Sequence, residues 1–218
     1  SNPQTYAVRA TITGGALTAP RTVNLNPGAI ETVVLPWVQE LVSFLPGYVG
    51  CRGGSDPGCR VSRMPARSAF RRNGAYHVHT NGPVAAYQFN PLNFSRTGGY
   101  YSFTNDASLL LPQGVLRQRY VVSTWPNWVI RSAGQTMVAG GFVSIVGVAG
   151  ESTTVTVRPT AAVSAGPGVP MIAAGATQTF SLQPGDVVQL VSADDRVTAS
   201  GRGPDLTGTT IESSLPIA

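Results

Sequence analysis

The chain has 218 residues, enough for one large β-domain or two small ones. Hydrophobic residues at 42% are ordinary for a globular chain, while charged residues at 11% fall well below the usual ~25%, which excludes a charge-driven disordered segment. The formal net charge of +5 is carried by arginine alone, because no lysine occurs, so Schiff-base and P-loop chemistry are excluded.

Strand signals dominate in chain order. Apolar and polar residues alternate over 6–13, 22–25, 31–35, 76–80 and 153–157, the period of a half-buried strand. Continuous apolar or β-branched runs at 120–125, 142–148 and 187–191 suit strands buried on both faces. Turn residues punctuate them at Asn26-Pro27-Gly28, Asn81-Gly82-Pro83, Ala149-Gly150-Glu151 and Gln183-Pro184-Gly185. The best helical pattern, 61–72, repeats arginine every four residues at Arg63, Arg67 and Arg71, but Pro65 makes a loop an equal reading. No apolar run reaches the ~18 residues that span a bilayer. The expected fold class is all-β.

Internal comparison organises these strands. Val23-Asn-Leu-Asn-Pro-Gly-Ala-Ile-Glu-Thr-Val-Val-Leu35 matches Phe180-Ser-Leu-Gln-Pro-Gly-Asp-Val-Val-Gln-Leu-Val-Ser192 as strand, Pro-Gly turn, strand. Val78-His-Thr-Asn-Gly-Pro-Val-Ala85 aligns without gaps to Ile211-Glu-Ser-Ser-Leu-Pro-Ile-Ala218. The expectation is two β-sandwich-like motifs related by duplication and packed as one unit. The first covers 1–112, with a Cys/Arg-rich insertion at about 36–74. The second covers 113–218 and is expected to be truncated at its C-terminal end, leaving an open strand edge near Ala218 for a partner.

The insertion holds both cysteines. Cys51 and Cys59 close a Gly/Pro-rich loop, which points to a disulfide worth roughly 2.5 kcal/mol and to an oxidising compartment. Two free thiols in a cytosolic chain is the alternative. Arg52, Arg60, Arg63, Arg67, Arg71 and Arg72 form the densest charge cluster, with Asp56 the only acid between Cys51 and Arg72. Arginine forks bind carboxylate and sulfate bidentately, so the cluster points to an acidic glycan rather than nucleic acid. A solvated loop is the plain alternative.

Other residues are weaker leads. His77 and His79 share one face of a strand, as a zinc pair or as ordinary surface histidines. Asn105 and Asp106 suit turn capping, with a calcium site as the sharper alternative. Trp128 is the expected exposed aromatic for stacking on sugar, along with Phe94, Tyr100 and Tyr101, whereas Trp125 ends an apolar run and is expected in the core. No sequence motif for a nucleophile, metalloprotease or nucleotide site occurs, and no cofactor is expected.

Several segments occur in a familiar order: Ala86-Tyr-Gln-Phe-Asn-Pro-Leu92, Asn105-Asp-Ala-Ser-Leu-Leu-Leu-Pro112, 120–125, Gly141-Phe-Val-Ser-Ile-Val-Gly147, 153–157 and Asp205-Leu-Thr-Gly-Thr209. Together they resemble the IgGFc-binding protein N-terminal domain family, including its bacterial extracellular homologues, over roughly 20–218. The Gln-Phe-Asn-Pro and Asn-Asp-Ala-Ser-Leu-Leu-Leu-Pro segments carry the specificity. The resemblance implies an extracellular adhesive or matrix role without catalysis, and no immunoglobulin-binding motif transfers residue by residue. The expected function is a non-enzymatic extracellular module binding an acidic glycan or a protein. The alternative is a structural subunit of a surface assembly completed by a partner strand, with no nucleic acid and no membrane span.

Overall fold

The computed structural model describes residues 1–41, 67–90, 106–132, 135–193 and 203–218. The strands are β1 (Val8–Gly14), β2 (Arg21–Leu25), β3 (Ala69–Arg71), β4 (Tyr76–Thr80), β5 (Tyr87–Asn90), β6 (Asp106–Leu109) and β7 (Arg117–Val121). They continue with β8 (Trp128–Ser132), β9 (Gln135–Ala139), β10 (Phe142–Val146), β11 (Thr153–Arg158), β12 (Gln178–Leu182), β13 (Val187–Val191) and β14 (Thr210–Ile217). Two single 3-10 turns, Gln39–Leu41 and Gln113–Val115, are the helical elements among the described residues. The chain is all-β, and every described strand pairing is antiparallel.

The described residues form two compact units. One comprises Ser1–Pro36 and Tyr76–Val115, the other Trp37–Ala75 and Leu116–Ala218. The described residues of the insertion, 37–41 and 67–74, therefore fall in the second unit with the C-terminal strands.

The first unit holds a three-stranded sheet of order β2-β1-β4 and the ribbon β5-β6. The alternation in Val8-Arg-Ala-Thr-Ile places Val8, Ala10 and Ile12 on the buried face with Leu25. Thr11, Thr22 and His79 lie on the opposite face, joined by the pairs Thr11↔Thr22 and Thr11↔His79. Buried Asn2 ties the N-terminus to this sheet, its Nδ2 donating to the carbonyls of Leu25 and Tyr6 at 2.9 and 2.8 Å.

The second unit holds a four-stranded sheet β12-β11-β14-β7, a three-stranded sheet β10-β13-β3 and the ribbon β8-β9. Its core gathers Ile145, Val155, Val157, Leu182, Leu190 and Ile211 among others. Each such side chain contributes about 1.5–3 kcal/mol by leaving water. All five residues of β13 are buried, Gln189 along with its four apolar neighbours.

Five expectations change. Strand β10, read as buried on both faces, leaves Phe142 and Ser144 exposed. Residues 31–35 are irregular rather than a strand. The Pro-Gly turn before them resembles the one at Pro184-Gly185, with Gly28 and Gly185 at φ 72° and 85°, yet only the second turn leads into a strand. The apolar run at 120–125 leaves the sheet after Val121. The helix-or-loop segment 61–72 ends as strand β3, because β13 offers Val187, Val188 and Gln189 as pairing partners for Arg71, Phe70 and Ala69; residues 61–66 lie outside the described residues. Finally, the edge at Ala218 is closed by the chain itself. Ala218 and Val146 exchange backbone hydrogen bonds of 2.6 and 3.1 Å, and Ile217 faces Gly147.

Candidate binding surface at one end of a sheet

The residues singled out from sequence scatter. Arg52, Arg60, Arg63, Cys51, Cys59 and Asn105 lie outside the described residues, as do Phe94, Tyr100 and Tyr101. Asp106 opens β6 opposite Asn90, and Trp128 opens β8 opposite Ala139. His77 and His79 are exposed on β4. Among the described residues no three His, Cys, Asp or Glu side chains gather at metal-binding distance.

Arg71 and Arg72 already have acidic neighbours. Arg71 Nε lies 3.5 Å from Glu40 Oε1, and Arg72 Nη1 lies 3.6 Å from Asp186 Oδ2. Arg72 also sits over the Phe70 ring, 5.8 Å from its centroid. Asp186 is buried and organises the Pro-Gly turn: it accepts from the Asn73 amide at 2.9 Å and the Gln183 amide at 3.0 Å. Arg72 therefore braces the turn that starts β13, while Arg71 ties β3 to the 39–41 turn. Arg67, by contrast, is exposed.

Arg67 precedes a rigid anchor. Ser68 is fully buried, and its hydroxyl accepts a 3.0 Å hydrogen bond from the Val191 amide. Val191 in turn pairs with Phe142 on β10. Strand spacing of about 4.8 Å puts the β3 end and the β10 end roughly 10 Å apart across β13. Arg67 and half-exposed Phe142 thus emerge at the same end of this sheet.

The next segment along that end is 122–127. Asn127 holds it. The Asn127 side chain is 1% exposed. Its Oδ1 accepts from the Gly141 amide at 2.8 Å and from the Ser192 hydroxyl, while its Nδ2 donates to the Ala193 carbonyl at 2.9 Å. The backbone adds two more links, Asn127 N–H to Pro204 O and Gly203 N–H to Asn127 O. Gly141 abuts the Trp125 carbonyl so closely that a side chain there would collide with it. At the other end of the segment, Thr124 is knotted to a turn. Its hydroxyl donates to Asp205 Oδ1 at 2.8 Å, and the Thr207 amide donates to the same oxygen at 2.7 Å. Bonds from the Thr207 hydroxyl and amide hold the Asp205 carboxyl below its ordinary value, with Thr124 adding to them.

Between the two clamps stands Trp125, 85% exposed. This corrects the core placement read from the sequence. Past the strand Val122 turns inward and Ser123 and Trp125 outward, and the alternation breaks at Asn127, which is buried. Pro126 after the tryptophan and hydroxyl-bearing Thr124 before it were the sequence signals that the apolar run had ended. Arg67, Phe142 and Trp125 together make an aromatic-and-guanidinium end to the sheet, able to stack on a ring and to bind an anion.

An all-β chain of this kind, with a clamped aromatic on its surface, has the features of a binding module. The family model described as IgGFc binding protein matches residues 106–218, and the chain belongs to that family. The family's description is that of a binding protein. The match takes in every strand from β6 to β14 and the whole segment bearing Trp125. No curated protein and no solved structure matches the chain. No helix among the described residues is long and apolar enough to cross a membrane.

Proposed function

We propose that the chain is an adhesive or matrix module that binds an acidic glycan on the surface carrying Arg67, Phe142 and Trp125. The observation that carries this reading is Trp125, almost fully exposed yet fixed from both sides by Asn127 and Thr124. The backbone that carries this side chain is already tied down, so binding need not order the segment and loses little backbone entropy there. Tryptophan stacks on the apolar face of a sugar ring, and the Arg67 fork suits a carboxylate or sulfate. The positive formal charge of the whole chain favours the same class of ligand. A protein partner, as the family description suggests, would use the same side chains, since Trp and Arg dominate interface hot spots.

The test is a titration with a sulfated oligosaccharide and its desulfated counterpart, followed by tryptophan fluorescence and calorimetry at two salt concentrations. Trp125→Ala is expected to reduce affinity at least tenfold with an unchanged melting temperature. Arg67→Ser is expected to weaken binding and flatten its salt dependence. Sulfated ligand bound equally well by the wild type and Trp125→Ala would defeat the reading.

We further infer that the two units carry copies of one duplicated motif. Set Ala10 against Val155 and the pairings coincide. Ala10↔Val23 and Ala10↔Thr80 correspond to Val155↔Phe180 and Val155↔Ser213. Ile12↔Val78 corresponds to Val157↔Ile211. These are the residues that the sequence comparison aligns, which supports common descent. A permuted chain in which residues 8–25 and 76–80 are replaced by 153–182 and 210–214 should still fold; an insoluble product would count against the inference.

A further inference from the structure

The corresponding motifs differ at one edge. In the second unit, the outer edge of β14 is occupied: Ile211 pairs with Tyr120 of β7, and Glu212 with Arg119. In the first unit, β4 pairs with β1, and among the described residues no strand lies on its other side.

The hydrogen-bonding groups of that edge can be assigned. The Asn81 amide donates to the Arg9 carbonyl, so Arg9 and Asn81 are a hydrogen-bonded pair. Groups alternate along an antiparallel ladder. His79 and His77 therefore turn their N–H and C=O toward β1, facing Thr11 and Thr13. Tyr76, Val78 and Thr80 turn theirs outward. Val78 is 37% exposed, and it corresponds to Ile211, the residue whose outward groups meet Tyr120. An unprotected edge of this kind is a template for an added strand.

The fixed charges on this sheet, Arg9 and Arg21, have one sign. β1, β2 and β4 carry Arg9, Arg21, His77 and His79 and no carboxylate. Where β14 has Glu212 facing the Arg119 guanidinium at 3.9 Å, β4 has His79. The exposed His79 imidazole carries a ring N–H donor, so a carboxylate acceptor is the complementary residue at the Arg119 position of an incoming strand.

We propose that the outer edge of β4 is a strand-acceptor site for an extended acidic segment of a partner protein, docked antiparallel in the register β7 uses on β14. The segment places an apolar or aromatic residue opposite Val78 and a carboxylate opposite His79. It adds a fourth strand to the β2-β1-β4 sheet. The site differs from the Trp125 surface and stands or falls independently of it.

The probe is a nine-residue peptide built on Arg117–Val121 with R117E and R119E, added to the full-length isotope-labelled chain. Saturating amide shifts at Tyr76, Val78 and Thr80 are the expected result. N-methylation at the peptide tyrosine, which removes the donor facing Val78, should weaken binding about tenfold or more. His79→Glu should reverse the charge preference, so that the unaltered Arg117–Val121 sequence binds better than its acidic version. His79 is exposed, so this variant should keep the fold, checked by its unchanged spectrum elsewhere. Absence of binding at millimolar peptide overturns the proposal. So do shifts confined to Thr210 and Ile211, or an N-methyl peptide that binds as well as the parent.

Discussion

Asn127 gives the sharpest stability test of how the Trp125 segment is held. Asn127→Ala removes the acceptor of the Gly141 amide and of the Ser192 hydroxyl, and the donor to the Ala193 carbonyl. Ser192 keeps a partner, since its hydroxyl also donates to Gly141 O at 3.0 Å. The Gly141 amide and the Ala193 carbonyl lose theirs. Gly141 is buried, so its orphaned N–H carries most of the cost. Two orphaned backbone groups at about 1–1.5 kcal/mol each give roughly 2–3 kcal/mol. For a domain of this size that lowers the melting temperature by roughly 4–12 °C. Urea unfolding should show a lower midpoint at constant slope, since the surface exposed on unfolding is unchanged. Ser192→Ala, which deletes a hydroxyl but leaves the Asn127–Gly141 and Asn127–Ala193 bonds, should cost about half as much. A loss below about 0.5 kcal/mol for Asn127→Ala would refute the clamp, because it would mean the segment finds other partners without strain.

Gly141→Ala forces a methyl against the Trp125 carbonyl and should cost about 1–3 kcal/mol, read by thermal melting, with Trp125 fluorescence shifted before unfolding. Leu190→Ala empties a fully buried core position on β13 and should cost about 2–5 kcal/mol by chemical denaturation. The lowered Asp205 pKa sets a direction with pH. Its folded value lies below the unfolded one near ~3.9, so its contribution is present above that value and is lost as pH falls through the folded value. Asp205→Asn should therefore flatten the acid limb of stability below about pH 4 and leave the neutral region's slope unchanged; an unaltered acid limb would refute the role given to the Thr207 and Thr124 bonds.

Much of the fold was legible because strand period and turn chemistry are local. The Thr-Thr-Val-Thr-Val stretch puts Val155 and Val157 on one face by alternation alone, and both are fully buried. The largely apolar run 187–191 announced a strand covered on both sides. The site was less legible. Arg67, Arg71 and Arg72 were a single cluster in sequence. Glu40 and Asp186, distant along the chain, separate their roles by pairing with the latter two.

What the sequence by itself determined is therefore the all-β class, the strand faces and the family, since each rests on residues close together along the chain. Tertiary structure alone decided which apolar residues are exposed and which edges are closed. Trp125 ends an apolar run, yet hydrogen bonds that join its neighbours Thr124 and Asn127 to Asp205, Ser192 and Ala193, 65 to 81 positions along the chain, turn it to solvent. Ala218 was expected at an open edge, yet Val146 closes it, while β4 is the edge left without a described partner. Burial and edge pairing are properties of non-local contacts, and no local pattern encodes where a distant strand will dock.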